Sequence, residues 1–106
     1  VRLMGADCKG ELLRLGLCSG AGGSEWREAA ALGAQAFLSG EIKHHIALEM
    51  ADTGVPAFEC GHYATEQPGV LALADALQSR LNQVEYKLGI FVSSAGDYAF
   101  PSRPNQ

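Results

Sequence analysis

The chain has 106 residues, of which 47% are hydrophobic and 19% charged, with a formal net charge of −4. That length suits one domain around one core, the composition excludes a disordered chain, and the lack of any Lys or Arg block argues against a nucleic-acid surface, which needs clustered positive charge to displace counterions. No apolar run is long enough for a membrane span, and Val1-Arg2-Leu3-Met4-Gly5 has neither the charged nor the apolar region of a signal peptide; the absence of an initial Met makes a piece of a longer, or processed, protein one reading.

Residues 1–4 are apolar apart from Arg2 and read as a strand. Gly5-Ala6-Asp7-Cys8-Lys9-Gly10 is a turn with glycine at both ends, and residues 12–18 form a second strand. Six turn residues are too few for a helical crossover, so the two strands could form an antiparallel pair. Ser19-Gly20-Ala21-Gly22-Gly23 is a loop, after which Ser24 stands at the N-cap position and Glu25 brings negative charge to the first helical turn. That helix carries Trp26, Ala29, Ala30 and Leu32 and stops at Gly33. A strand at 36–39 follows, then a Gly40-Glu41 turn. A helix from about Lys43 places Ile46, Ala47, Met50 and Ala51 on one face and ends at Gly54. Residues 55–60 form the next strand. Beyond Gly61-His62-Tyr63-Ala64, a longer helix should hold Pro68 in its first turn, where a missing N–H costs little. Its buried stripe is Val70, Leu73, Ala74, Leu77 and Leu81. Residues 86–92 are apolar enough for a last strand.

Strands alternating with helices mean βαβ units. The fold expected is a three-layer α/β/α domain over residues 1–92 with a mostly parallel sheet built on 13–18, 36–39, 55–60 and 86–92, followed by a tail at 93–106. The cysteines, Cys8, Cys18 and Cys60, are odd in number and contain no CxxC, so they form neither a disulfide framework nor a zinc ribbon. They fit a reducing cytoplasm, with Cys18 and Cys60 as buried small residues at strand ends.

In parallel sheets ligands gather at the carboxyl ends of strands, which singles out three strand-to-helix turns. In Gly61-His62-Tyr63-Ala64-Thr65-Glu66 an imidazole and a carboxylate stand four residues apart at a corner, with Thr65 as a possible cap. They can point at one spot and together suit Zn, Mn, Fe or a similar divalent ion. A turn histidine bonded to its own backbone, with a glutamate favoured by the helix dipole, is the plain structural alternative, and two ligands do not complete a zinc site. The second turn offers Glu41, Lys43, His44 and His45. Adjacent helical residues diverge by about 100°, so at most one of the two histidines faces the same site, and a solvated helix end explains both. The glycine-rich first turn can cradle an anion through its backbone or simply connect strand to helix; it fits neither GxGxxG nor a P-loop.

Three stretches together, Cys18-Ser19-Gly20-Ala21-Gly22, Ala36-Phe37-Leu38-Ser39-Gly40-Glu41-Ile42 and Gly61-His62-Tyr63-Ala64-Thr65-Glu66, resemble the C-terminal half of the Nif-three-like proteins (NGG-one-interacting factor three), some of which are designated GTP cyclohydrolase 1 type 2. The resemblance runs from Val1 to about Val92, and GHYATE is its most specific part. It implies one half of a two-lobed fold and a pair of divalent metal ions bound in part by His62 and Glu66. The remaining ligands, a His pair and an Asp, would belong to an N-terminal half that this chain does not contain; His44-His45 is not that pair, and His45 at most supports a ligand or faces the substrate. The resemblance also implies a homohexamer. Two metals can activate water and clamp attacking and leaving oxygens, so the complete protein is expected to be a cytoplasmic, metal-dependent hydrolase acting on a nucleotide or phosphate-containing small molecule. No catalytic residue is assigned, and this half alone is expected to be inactive. A non-catalytic metal-binding or protein-interaction module is the competing class, because nothing in the chain supplies an independent general base. Thiol redox chemistry at Cys60 beside His62 is a third, requiring a low-pKa, accessible thiolate. Without its other half, the lobe should leave an apolar face uncovered and associate.

Overall fold

The computed structural model describes residues 1–5, 7, 8 and 10–95. Two compact units divide the chain, Val1–Glu66 and Gln67–Gln106. Most of the expected tail, residues 96–106, lies outside the described residues.

The first unit is a four-stranded sheet with helices, a mixed α/β fold with a mostly parallel sheet, as expected. Its strands are β1 (Arg2–Met4), β2 (Leu15–Cys18), β3 (Ala36–Ser39) and β4 (Ala57–Glu59), in the order β1-β4-β3-β2. β2–β3 and β3–β4 are parallel; β1–β4 is antiparallel. The expected antiparallel pairing of the first two strands is therefore wrong. They run in opposite directions but hold opposite edges of the sheet. The span to cross is three inter-strand spacings, roughly 14 Å, well within the length of chain between Met4 and Leu15. β4 offered β1 a free edge, and the sequence contains no signal that chooses between edges.

Register explains the two faces. Met4, Ala57, Phe37 and Gly16 are mutual partners across the sheet and face the helices α1 (Trp26–Ala31) and α2 (His44–Thr53). Phe37, Met50 and Ala57 are completely or almost completely buried, with Trp26, Ile42 and Ile46 around them. Removing the Phe37 ring from such a site costs about 3–5 kcal/mol. Gly16 has no side chain because a Cβ there would stand 2.6 Å from the Cβ of Ala29 and 2.9 Å from the Phe37 ring; α1 lies directly on β2. On the other face the partners are Leu3, Phe58, Leu38 and Leu17, an apolar row whose ends, Leu3 and Leu17, are 48% and 67% exposed.

Both helices close as the glycines foretell. Gly33 and Gly54 adopt φ of 89° and 75°. The N–H of Gly33 reaches the Ala30 carbonyl and that of Ala34 the Ala29 carbonyl; Gly54 and Val55 repeat the pattern on Ala51 and Met50. These are Schellman closures, which satisfy carbonyls that the helix leaves unpaired. The start of α1 differs from expectation. Ser24 sits inside a short 3₁₀ turn, Gly23–Glu25, and its hydroxyl donates to Glu25 instead of capping the helix.

Helix α3 (His62–Gln83) begins within the first unit and supplies the second. Pro68 therefore falls in its second turn rather than its first, and has no N–H to return to the Ala64 carbonyl. The expected stripe is not buried: Val70, Leu73 and Leu77 are 47%, 59% and 46% exposed. Nor do residues 86–92 form a strand. They turn back along α3, where the Gln78 carboxamide accepts from the Ile90 N–H and donates to the Leu88 carbonyl. Ile90, Phe91 and Val92 border a shallow apolar groove with Val70, Leu73 and Leu77. An apolar run becomes a strand only where a ladder partner meets its backbone, and this one finds a side-chain amide instead. Among the described residues no helix is long and apolar enough to cross a membrane.

Candidate metal centre

Because β2, β3 and β4 are adjacent and parallel, the turns after them share the carboxyl edge. Cys18, Ser39 and Glu59 lie at equivalent positions in register, and the hydrogen bonding continues past them. The Glu41 N–H donates to the Gly20 carbonyl (2.8 Å), and the Gly61 N–H to the Gly40 carbonyl (2.9 Å). The buried Ser39 hydroxyl also points at the Gly20 carbonyl, at 3.3 Å. Three segments distant in sequence are thereby tied into one platform, and α3 rises from it at His62.

Gly61, with φ 93°, turns the chain sharply into that helix. Thr65 is not the cap that its position suggested. It lies in the first turn, where its hydroxyl is 3.0 Å from the carbonyls of Gly61 and His62 and accepts the Gly20 N–H at 3.0 Å. It pins the first loop to α3. His62 and Glu66, four residues apart on one helix face, converge: His62 Nε2 is 3.2 Å from Glu66 Oε1. The other ring nitrogen, Nδ1, is 3.0 Å from Glu41 Oε1. The three side chains are about half exposed.

An imidazole between two carboxylates presents a problem of charge. A neutral ring has one N–H and one lone pair, whereas both nitrogens here face acceptor oxygens. Either the ring carries two protons or a cation belongs on one side. The spacing suits a cation: with bonds near 2.1 Å, two ligands on one divalent ion stand about 3.0–3.4 Å apart. Gly20 leaves the room. With φ 62°, it lies so close that a Cβ would collide with Glu66 Oε1 and stand 3.2 Å from His62 Nε2. The donors present therefore fit a divalent metal, with Nε2 and the Glu66 carboxylate as the ligating pair. They do not complete a site. Among the described residues no group of three or more His, Cys, Asp or Glu side chains is arranged to hold a metal ion by itself, and zinc takes at least three protein ligands.

The chain matches the model of the Duf34/NIF3 (NGG1p interacting factor 3) family over residues 1–97. The chain belongs to the Duf34/NIF3 family. Among NIF3 relatives, a Pasteurella multocida protein named GTP cyclohydrolase 1 type 2 homolog is 36% identical over 87 residues, covering 80% of this chain and 35% of the relative. A protein of the same name from Buchnera aphidicola is 43% identical over 70 residues, 63% of this chain and 27% of the relative. The crystal structure of Staphylococcus aureus protein SA1388 superimposes with a TM-score of 0.80 at 25% identity, covering 98% of this chain and 33% of that one. This NIF3 chain thus spans about a third of the proteins it resembles.

The remaining site residues singled out from sequence fall apart. His44 and His45 open α2, both exposed, and neither is hydrogen-bonded or ion-paired with the His62 cluster. Cys18 and Cys60 do lie at strand ends, half-buried rather than buried. Glu41 was visible as a polar residue of the second turn but not as the partner of His62. The signal that finds it is register: two residues past Ser39 lies alongside two residues past Glu59, which is Gly61, the neighbour of His62.

Proposed function

We propose that His62 and Glu66 are ligands in a dinuclear divalent-metal centre of the complete NIF3 protein, with the remaining ligands supplied by the family's N-terminal half. The whole protein would be a hydrolase of a nucleotide or another phosphate-containing small molecule, assembled as a homo-oligomer in the cytoplasm, where three free cysteines stay reduced. The observation that carries this reading is the convergence of Nε2 and the Glu66 carboxylate on a glycine-cleared space, with a second carboxylate already facing Nδ1. When bound, divalent ions supply Lewis acidity, acidifying water and neutralising charge that develops on a phosphate. This chain's own contribution is to hold: the α3 corner aims both ligands at one point, Gly20 keeps that point open, and the Thr65 hydroxyl locks the loop to the helix. The names borne by the Pasteurella and Buchnera relatives favour hydrolysis, and a phosphatase and nucleotidase screen of the complete protein separates hydrolysis from metal binding alone. The direct test is elemental analysis of two variants of the complete protein. His62→Ala should lose metal, while His45→Ala should retain most of it. Full metal retention in His62→Ala would leave His62 a structural residue and end the proposal.

A further inference from the structure

We infer that Glu41 is a positioning residue that selects the tautomer of His62, holding the proton on Nδ1 so that the Nε2 lone pair faces Glu66. The inference rests on the metal reading above and adds a residue to it. Its basis is geometric. Glu41 Oε1 is 3.0 Å from Nδ1, closer than Glu66 Oε1 is to Nε2 at 3.2 Å, and since an ionised carboxylate only accepts, a hydrogen bond there requires the proton on Nδ1. A hydrogen bond from the far nitrogen is what orients a ligating imidazole and raises its basicity.

An exposed carboxylate beside a histidine is often a chance surface contact with little net effect. The backbone of Glu41 distinguishes this one. Its own N–H is fixed to the Gly20 carbonyl. The next N–H, that of Ile42, donates to Glu59 Oε2 at 2.9 Å. Glu59 is in turn held by Arg2 from β1, at 2.7 Å on its other oxygen, and the Ile42 side chain is buried in the core. Peptide groups on both sides of the Glu41 Cα are therefore anchored, one to each neighbouring turn or strand. The side chain starts from a preset point and needs only its own rotamers ordered to meet Nδ1.

This arrangement also accounts for the two acceptors around one ring. With the ring proton held on Nδ1 and donated to Glu41, the Nε2 side is left with a lone pair against a carboxylate, which is repulsive without a cation. Glu41 thus makes the His62–Glu66 pair a better acceptor of a metal ion than of a second hydrogen bond.

The test has two readouts on the 106-residue chain. Long-range proton–nitrogen correlation spectra of the metal-free chain in alkaline solution report which ring nitrogen of His62 carries the proton. Competition with a chromophoric chelator reports zinc affinity. Wild type should show the Nδ1–H form. Glu41→Ala should shift His62 to the Nε2–H form and weaken zinc binding about 10- to 100-fold. Glu41→Gln, whose carboxamide oxygen can still accept, should keep the Nδ1–H form and recover most of the affinity. Unchanged melting temperatures would exclude a folding defect. A wild-type ring already in the Nε2–H form, or a Glu41→Ala chain with unaltered tautomer and affinity, overturns the inference. If instead His62→Ala binds zinc as well as wild type, the metal reading fails, while the tautomer spectra still decide the role of Glu41.

Discussion

Replacing Gly20 by alanine separates the architecture of the carboxyl edge from its chemistry. Gly20 has φ 62°, a conformation that costs an alanine about 1–2 kcal/mol. The added Cβ would also collide with Glu66 Oε1 and stand 3.2 Å from both Glu66 Cδ and His62 Nε2. Restoring ordinary van der Waals contact requires the carboxylate oxygen to retreat by roughly 1 Å. Glu66 can do this, because its carboxylate is the mobile end of a half-exposed side chain, so the fold survives. A metal ligand cannot, since ligand distances tolerate only about 0.2 Å. Gly20→Ala should therefore lower stability by about 1–2 kcal/mol in urea unfolding and weaken zinc binding at least about tenfold, or 1.4 kcal/mol. Gly54→Ala is the control: φ is 75° with nothing within 4 Å of the new Cβ, so it carries the same backbone strain without the collision. It should lose similar stability and no affinity. Equal zinc affinities in the two variants would refute the placement of the Glu66 carboxylate beside Gly20 or its role as a ligand.

Gly40→Ala should be far harsher than Gly20→Ala, because its Cβ would stand 2.6 Å from the Gly20 carbonyl oxygen and 2.8 Å from His62 Cα, backbone atoms that cannot step aside; a loss of about 3 kcal/mol, near the upper end for overpacking, should appear in urea unfolding, and a near-neutral result would contradict the close packing of the three turns. Thr65→Val should cost about 1 kcal/mol by leaving the Gly20 N–H without its acceptor, while Thr65→Ser should restore most of it; equal stability of all three chains would remove the hydroxyl from the account. The Leu3, Phe58, Leu38, Leu17 row should make the isolated chain self-associate at micromolar concentration, with Leu17→Asp reducing association in sedimentation velocity; a strictly monomeric wild type would show the row to be too small to matter.

Much of this protein is local, and that part was legible from sequence alone. Gly33 and Gly54 marked the ends of α1 and α2 because only the residue itself and its immediate neighbours decide a left-handed closure. The strand at 36–39 and the alternation of strands with helices announced a mostly parallel α/β sheet, and adjacency of parallel strands implied that the turns carrying Gly20, Glu41 and His62 share one edge. The GHYATE segment pointed to its family for the same reason, since one corner carries both of its distinctive side chains, His62 and Glu66. What the tertiary structure decided was long-range. β1 pairs with β4 instead of β2, because a strand edge offers the same backbone hydrogen bonds whichever strand takes it, and a short connection can reach either side of a four-stranded sheet. Residues 86–92 turned back onto α3 because a single carboxamide, Gln78, satisfied backbone groups that no strand met. The partner of His62, Glu41, is 21 residues away, and no propensity or motif within either turn encodes the pairing. It exists because the register of β3 against β4 and the anchoring of two consecutive peptide groups bring a carboxylate to the ring's far nitrogen.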